Sequence, residues 1–547
     1  MKTSSLRSLF TSLLLSTCFI SYVSAQVNTT DSLTLVDLYN NTNGPAWKNH
    51  TNWLTAKPVS KWYGITVTAN RVTGITLTYN KVSGQLPASL GNLSELTSLE
   101  LYHNSLQGSL NPVVKLKKLL TLDLSSNAFN GNIPGQVSNL SQLEVLNLSF
   151  NKLTGNIPAS VCTIQSLLKL YLSNNLLSGS LPNNINNLTF LQFLDVSYNQ
   201  LSGPLPAGFY ELFGLITAQL QHNQFSGKLL NRFSNFWNLI TLSLSDNQFS
   251  GTIPGTFSQL GKLSYVYLQN NHFSGVIPSL LGFSTGLIQF DLSNNQLTGT
   301  LPSTLTNLIK LAEFNVSDNK LSGDFPPQII TMPSLPSVKA SGNHLMFKKN
   351  INTTTSTNLN SIDISNNNFN FNGLEYIAAN VPTPVYVPQA GINIHQHASV
   401  LNVSAGGKLS NNTYTWHLVN GGSTEIAADS GFTPSQPGLY YVTVTNKVAA
   451  KLTLVSDTVN VTSVNAAAQP QLSVAPNPVQ NSLTVYGLNE RINAKITVTD
   501  VKGYAWVNSF SNKQSTVQFD VSRLNKGSYI ISINDGTAIK TIHFIKR

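Results

Sequence analysis

A chain of 547 residues, 41% hydrophobic and 10% charged, is too long for one ordinary compact core, so several domains or an elongated repeat array is expected. Its formal charge of +10 falls to +8 if Lys2 and Arg7 leave with an export signal, and residues 466–547 hold nine basic and four acidic side chains without one dense basic run. Nucleic acid binding needs a concentrated basic stripe with interleaved aromatics, and none is present.

In chain order, the first element is an export signal over residues 1–25. Lys2 and Arg7 precede the apolar run "LFTSLLLSTCFI", and "VSA" places the cut after Ala25. No later segment approaches the roughly 20 apolar residues of a spanning helix, so no membrane span is expected. Cys18 follows "LLST", a faint likeness to a lipidation signal that Thr17 and the apolar residues after the cysteine argue against. With the signal removed only Cys162 remains, so no intrachain disulfide can form. It falls at an apolar position and is expected to be a buried, inert thiol.

Next comes a repeat. Asn80, Asn104, Asn127, Asn151, Asn175, Asn199, Asn223, Asn247, Asn271, Asn295, Asn319, Asn343 and Asn367 follow one another at 24 residues, once at 23. Each unit reads L-x-x-L-x-L-x-x-N-x-L-x-G-x-I/L-P, and segments such as "LLTLDLSSN" alternate with period two. Leu122 and Leu124 should enter a core shared between coils, while Asp123 faces solvent from a parallel sheet. The asparagine amide should satisfy backbone groups in the bend, and its stacked copies should form a ladder. Glycine suits a turn that a β-carbon would strain, and proline helps end pairing before a short 3₁₀ or irregular return such as "PSTLTNLIKL".

On these residues the chain resembles plant-type leucine-rich repeat proteins over about residues 66–372. "DSLTLVDLYNNTNGPAWKNHTNWL" with "KWYGITV" resembles that family's opening cap, predicted over residues 26–65. Plant members carry paired cysteines around such a segment; their absence favours a bacterial relative. "SGNHLMFKKN" and "SNNNFNFNGL" lose the glycine and proline, as a closing cap would, so the solenoid is predicted over residues 66–380.

Beyond it, "TYTWHLVNGG", "PGLYYVTVTN" and "LTLVSDTVNV" read as strands of a small β-sandwich over residues 381–465. Trp416 and "GLYYVTV" resemble an immunoglobulin-like module without its disulfide. Residues 466–547 resemble the C-terminal sorting domain of the type IX secretion system, with Pro476, Asn477 and Pro478, then Gly503, Gly527, Tyr529 and Lys546 at matching positions. This resemblance implies a Bacteroidota-type source, the secretion machinery as a partner, and release or surface attachment. The N-x-S triplets at Asn147 and Asn315 would accept glycans in a eukaryote and are consensus by-products in a bacterium. The predicted fold class is thus a leucine-rich repeat solenoid, with a parallel β-sheet on its concave face and short 3₁₀ or irregular convex segments, followed by two small all-β sandwich domains.

The free strand positions form one column: Asp123, Asn147, Tyr171, Asp195, Gln219, Ser243, Tyr267, Asp291 and Asn315. A Tyr-Asp pair recurs four coils apart, ~19 Å along an uncurved sheet. Phe193, Tyr198, Gln221, Tyr265 and Gln269 lie beside the column. Aromatic faces with amides and carboxylates suit a sugar chain or extended peptide, so Tyr171, Phe193, Asp195, Tyr198, Gln219, Gln221, Tyr265, Tyr267, Gln269 and Asp291 are the candidate ligand-binding residues. For any single one of them scaffold is the stronger reading, since repeats duplicate, tyrosine favours strands and exposed aspartates are solvated.

Glu100 and Asp123 fall on neighbouring coils roughly 5 Å apart, a separation that a retaining glycosidase could use, but no sequence feature predicts an enclosing cleft. His395 and His397 would face one side of a strand without a third ligand. No zinc-protease, phosphate-loop or dinucleotide motif occurs. The reading is a non-enzymatic secreted or cell-surface recognition or adhesion protein that binds an extracellular glycan or protein on its concave face, with no cofactor and no metal. The alternatives are a polysaccharide-degrading enzyme or accessory factor, and a plant-like apoplastic inhibitor or receptor fragment.

Overall fold

The computed structural model describes residues 27–351, 357–419, 424–425, 429–462, 472–488, 493–534, 536 and 539–547. The predicted signal peptide and Cys18 lie outside them. The chain forms two compact units, one ending at Phe249 and the other beginning at Ser250.

The first unit opens with a helix, Thr29–Asn41, whose first turn is capped by the Asn28 side chain, an acceptor for Thr30 N and Asp31 N. Asp31 is fully buried and holds Arg71 through two hydrogen bonds of 2.9 Å and Val72 N through a third. That set of donors is what makes a buried carboxylate tolerable. Tyr39, Trp47, Trp53 and Trp62 pack as one aromatic cluster with ring centroids 4.8–5.7 Å apart. The three indole N–H groups donate to Thr42 O, Tyr63 O and Lys57 O. With Cys162 the only cysteine among the described residues, packing holds this opening segment.

From Arg71–Thr76 onward, three-residue strands stack in parallel: Ser98–Glu100, Thr121–Asp123, Val145–Asn147, Lys169–Tyr171, Phe193–Asp195, Thr217–Gln219 and Thr241–Ser243. Their register follows the repeat, so that Leu170 pairs with Leu194 and Tyr171 with Asp195. The one short unit keeps register as well, with Glu100 opposite Asp123; its missing residue is taken up on the return side, between Leu110 and Val113, where the next coil has Ile133 and Val137. Central leucines such as Leu99, Leu146 and Leu194 are completely buried. The returns are 3₁₀ turns, most of them entered from an extended proline, as at Pro134 before Gly135–Asn139; Asn184 and Arg232 stand there in two coils, and Pro112 is helical in a third.

The asparagines form the expected ladder. Asn175 Nδ2 donates to Leu148 O of the preceding coil at 2.9 Å and to Leu172 O and Ser173 O of its own, while its Oδ1 accepts from Leu153 N at 2.9 Å. Just before each rung the chain turns left-handed. His103, Ser126, Phe150, Asn174, Tyr198, His222 and Asp246 have φ between 52° and 56°, which costs most side chains roughly 1 kcal/mol and asparagine or aspartate less.

A second parallel ladder was not anticipated. Segments such as Lys152–Asn156 and Leu176–Gly179 pair with one another, so the repeat glycine lies inside a strand pair instead of at its end. Gly155 has φ 74°, and a β-carbon there would come within 2.6 Å of Asn132 Oδ1. Cys162 sits beneath these coils, 1% exposed, and burial pushes its thiol up to about 12. We predict no alkylation by iodoacetamide in native protein at pH 8, and full reaction in denaturant; rapid native labelling would contradict this burial.

In the second unit the same register continues: Tyr265–Tyr267, Gln289–Asp291, Glu313–Asn315, Ser337–Lys339, Ser361–Asp363 and Thr383–Val385 are parallel neighbours. The ladder's last rung is a glutamine. Gln389 Nε2 donates to Ile364 O and Tyr386 O, and its Oε1 accepts from Phe369 N. A helical segment, Phe371–Asn380, closes this end over Phe325, Phe347 and Phe369.

Two antiparallel sheets follow and face each other, Trp416 of one stacking on Phe432 of the other at 5.2 Å. The last domain again has two antiparallel sheets, around Leu483, Ile496, Val498 and Ile531. Its "PNP" segment acts through the asparagine: Asn477 Nδ2 donates to His543 O and its Oδ1 accepts from Ile545 N, tying the segment to the final strand. Tyr529 Oη closes its own strand entry on Asn525 O at 2.9 Å. Among the described residues no helix is long and apolar enough to cross a membrane.

Candidate functional site

Alternation along three-residue strands leaves two outward columns per coil, and the candidate residues other than Tyr198, Gln221 and Gln269 fall on them in two groups, one in each unit. In the first unit Lys169 and Phe193 are register partners on the first column, Tyr171, Asp195 and Gln219 on the second. Lys169 Nζ lies 5.5 Å from the Phe193 ring centroid, a cation–π distance. Burial, and secondarily the charge of Asp195, raises the Tyr171 phenol above its ordinary value, so it stays a donor at neutral pH.

Asp195 is only half free. Its Oδ1 accepts from Ser197 N at 3.0 Å and Ser197 Oγ at 2.6 Å, a local turn that caps the strand; its Oδ2 makes no hydrogen bond among the described residues. Gln221 stands where other coils have that serine, and its amide oxygen is buried without a donor. Tyr198 is not on the strand face. It occupies the left-handed turn position, stacked on His222 at 4.2 Å, and His222 Nε2 lies 3.4 Å from Asp246 Oδ2.

In the second unit Tyr267 pairs with Asp291 and Tyr265 with Gln289. The Tyr267 hydroxyl donates to Gln289 Oε1. Burial first, then the charges of Glu313, Tyr265 and Asp291, raise its phenol. Asp291 has no free oxygen: Oδ1 holds Ser293 N and Oγ, and Oδ2 accepts from Asn315 Nδ2 at 3.0 Å. Three of its roughly four acceptor positions are thus taken within the sheet. The Gln269 amide oxygen, like that of Gln221, is buried without a donor.

The same turn accounts for other residues singled out from sequence. Asp123 accepts from Ser125 N, Ser125 Oγ and Asn147 Nδ2, and Glu100 Oε1 accepts from Ser98 Oγ. The amides of Asn147 and Asn315 are likewise engaged, each donating to the aspartate one coil before and accepting from the serine two residues on. His395 and His397 are exposed on the strand Ile394–His397. No group of three or more histidine, cysteine, aspartate or glutamate side chains that could hold a metal occurs among the described residues.

Sequence reasoning missed Lys169 and His222. Both were readable: Lys169 stands 24 residues before Phe193 in the same column, and His222 stands 24 after Tyr198.

Comparison with known proteins bears on the repeat and on the last domain. The Leucine Rich Repeat description matches seven segments between residues 118 and 308, and the Secretion system C-terminal sorting domain description matches residues 473–547. Phytosulfokine receptor 1 of Arabidopsis thaliana is 40% identical over 80 residues, which are 14% of this chain and 8% of that protein. Receptor-like protein 39 of the same plant is 52% identical over 50 residues, 9% of this chain and 6% of its own length. Among solved structures, the leucine-rich repeat ectodomain of the Arabidopsis receptor kinase HAESA, in complex with an extended IDA peptide hormone ligand, superposes with a TM-score of 0.56 at 30% identity, covering 66% of this chain and 61% of that one. A TDR receptor gives 0.53 at 29% identity, over 57% of this chain and 55% of its own. The chain thus spans well under a tenth of those two curated relatives and under two thirds of these structural ones.

Proposed function

Starting from a leucine-rich repeat protein that resembles plant receptor ectodomains, carries a type IX secretion C-terminal sorting domain and is secreted or held at the cell surface, we propose a non-enzymatic recognition and adhesion protein that captures an extended segment of an extracellular protein. The observation that carries this reading is the register cluster Lys169, Tyr171, Phe193, Asp195 and Gln219. It combines a ring with a cation above it, a protonated phenol, an amide and one free carboxylate oxygen within three coils. An extended chain laid across short strands meets alternate positions of these kinds, so apolar contact supplies affinity and polar groups supply direction.

The receptor structures that this fold resembles support a peptide or protein ligand, HAESA being seen with a peptide hormone. The β-sandwich built around Trp416 we read as an immunoglobulin-like spacer: Tyr440 Oη donates to Gln436 O four residues back, as a tyrosine corner does. Against hydrolysis stands the engagement of Glu100 and Asp123 by neighbours in the sheet; turnover of any polysaccharide that Glu100→Gln abolished would overturn the binding-only reading.

On an array of extracellular protein segments, Tyr171→Ala/Phe193→Ala is expected to weaken capture at least tenfold while leaving the unfolding midpoint within a few degrees. Capture by the double variant equal to wild type would sink this placement of the site.

A further inference from the structure

We propose that the left-handed turns of the first unit form a second binding surface, separate from the strand face, for a neutral polysaccharide. The turn residues run as one ridge in consecutive coils: Tyr79, His103, Ser126, Phe150, Asn174, Tyr198, His222 and Asp246. Asparagine, aspartate and glycine suit this conformation best, yet five of these eight side chains are aromatic or imidazole, and they are exposed: Tyr79 58%, Phe150 56% and Tyr198 47%. A strained choice made repeatedly, with the side chain left in water, is not explained by packing.

The rings are also spaced. Tyr79 stacks on His103 at 4.2 Å and Tyr198 on His222 at 4.2 Å, which is close to the coil spacing, so these rings stand across the ridge. In coil order the neighbours on the far sides are Ser126 for His103 and Asn174 for Tyr198. Both are small polar residues, and Phe150 stands between them. Two equal bays result, His103 to Phe150 and Phe150 to Tyr198, each two coils or ~10 Å wide, floored by a hydroxyl and an amide. A ring midway in a bay would lie ~5 Å from each wall, within the stacking range.

The occupant follows from what the ridge offers and withholds. Its backbone is already paired. The N–H groups of Ser126, Phe150, Asn174 and Tyr198 donate to the next coil, and their carbonyls accept from Asn104, Asn127, Asn151 and Asn175, so a peptide finds no main-chain partner. Apart from the imidazoles no ionisable charge stands on the ridge before Asp246, which gives a polyanion or polycation little to hold. Two like bays at one interval, with ring faces for C–H surfaces and hydroxyl or amide floors, fit a polymer that repeats a ring.

The test is affinity electrophoresis of the mature chain through gels containing a soluble β-glucan, a mannan or a xylan. At least one should retard wild type, and high salt should not abolish it, since stacking is not screened. Phe150→Asn should weaken retardation at least tenfold while holding or raising the melting temperature, because asparagine suits the turn better. Tyr171→Ala/Phe193→Ala should leave retardation unchanged, which keeps this outcome distinct from that of the strand face. The proposal fails if no polysaccharide retards the protein, if Phe150→Asn is retarded as wild type, if that variant melts lower as a packing residue would, or if the ridge captures only aromatic peptides.

Discussion

Asn175→Ala is expected to lower the unfolding free energy by about 3 kcal/mol, and Asn175→Asp by more. The alanine removes three donated hydrogen bonds and one accepted one. The carbonyls are not orphaned: Leu148 O keeps Asn151 Nδ2, Leu172 O keeps Asn199 Nδ2, and Ser173 O keeps Phe150 N. Leu153 N, in the strand Lys152–Asn156, loses its buried acceptor. The loss should therefore sit near the cost of one desolvated amide plus several weakened bonds, below the sum of four. Aspartate keeps the acceptor but faces an oxygen toward three carbonyl oxygens, which is why it should be worse. Urea unfolding followed by circular dichroism measures both. Because each coil contacts only its neighbours, the transition should also broaden as the stack divides at this rung. A midpoint shift equivalent to less than about 1 kcal/mol for either variant would mean that the ladder follows from the fold without holding it.

The rungs were legible because one residue type recurs at one interval and its chemistry has one use in a tight bend. Gln389 was not. It follows Asn367 by 22 residues, where no 24-residue count would look, and its longer side chain reaches the same carbonyls from a differently shaped coil. The second ladder was hidden because segments like "KLTGN" show one apolar residue and a glycine, too little for a period.

The site was partly legible in the same sense. Period-two alternation placed Tyr171, Asp195 and Gln219 on one column, and the strand register bears that out. The D-x-S spacing at Asp123, Asp195 and Asp291 carried a signal that went unread: it turns an apparently free carboxylate into a strand cap. That spacing also explains the N-x-S triplets without glycans, since Asn147 and Asn315 make the same turn with Ser149 and Ser317. Tyr198 looked like a neighbour of the column because sequence shows proximity and not the sign of φ, and φ sends its ring to the ridge.

Glu375→Ala is the other change expected to be severe, at about 3–4 kcal/mol, because one carboxylate oxygen joins the closing helical segment of the solenoid to the β-sandwich. Glu375 Oε1 accepts from Lys408 N at 3.0 Å, Asn411 Nδ2 at 3.1 Å and Asn446 Nδ2 at 2.7 Å. Beside it Phe371 N donates to Ala405 O and Gly407 N to Asn372 Oδ1. The glycines permit this approach: a β-carbon on Gly407 would come within 2.8 Å of Glu375 Oε1 itself. Glutamine preserves an oxygen at that point, but three donors then meet a neutral acceptor, so Glu375→Gln should lose about half as much. In calorimetry Glu375→Ala should split the sandwich transition from that of the solenoid end and move it to lower temperature. A cycle with Asn446→Ala isolates the shared bond, and a coupling of at least about 1 kcal/mol is expected. If Glu375→Ala melts as wild type, or if the cycle is additive, the two domains are merely adjacent, and the sandwich is then a tethered spacer with no part in capping the repeats.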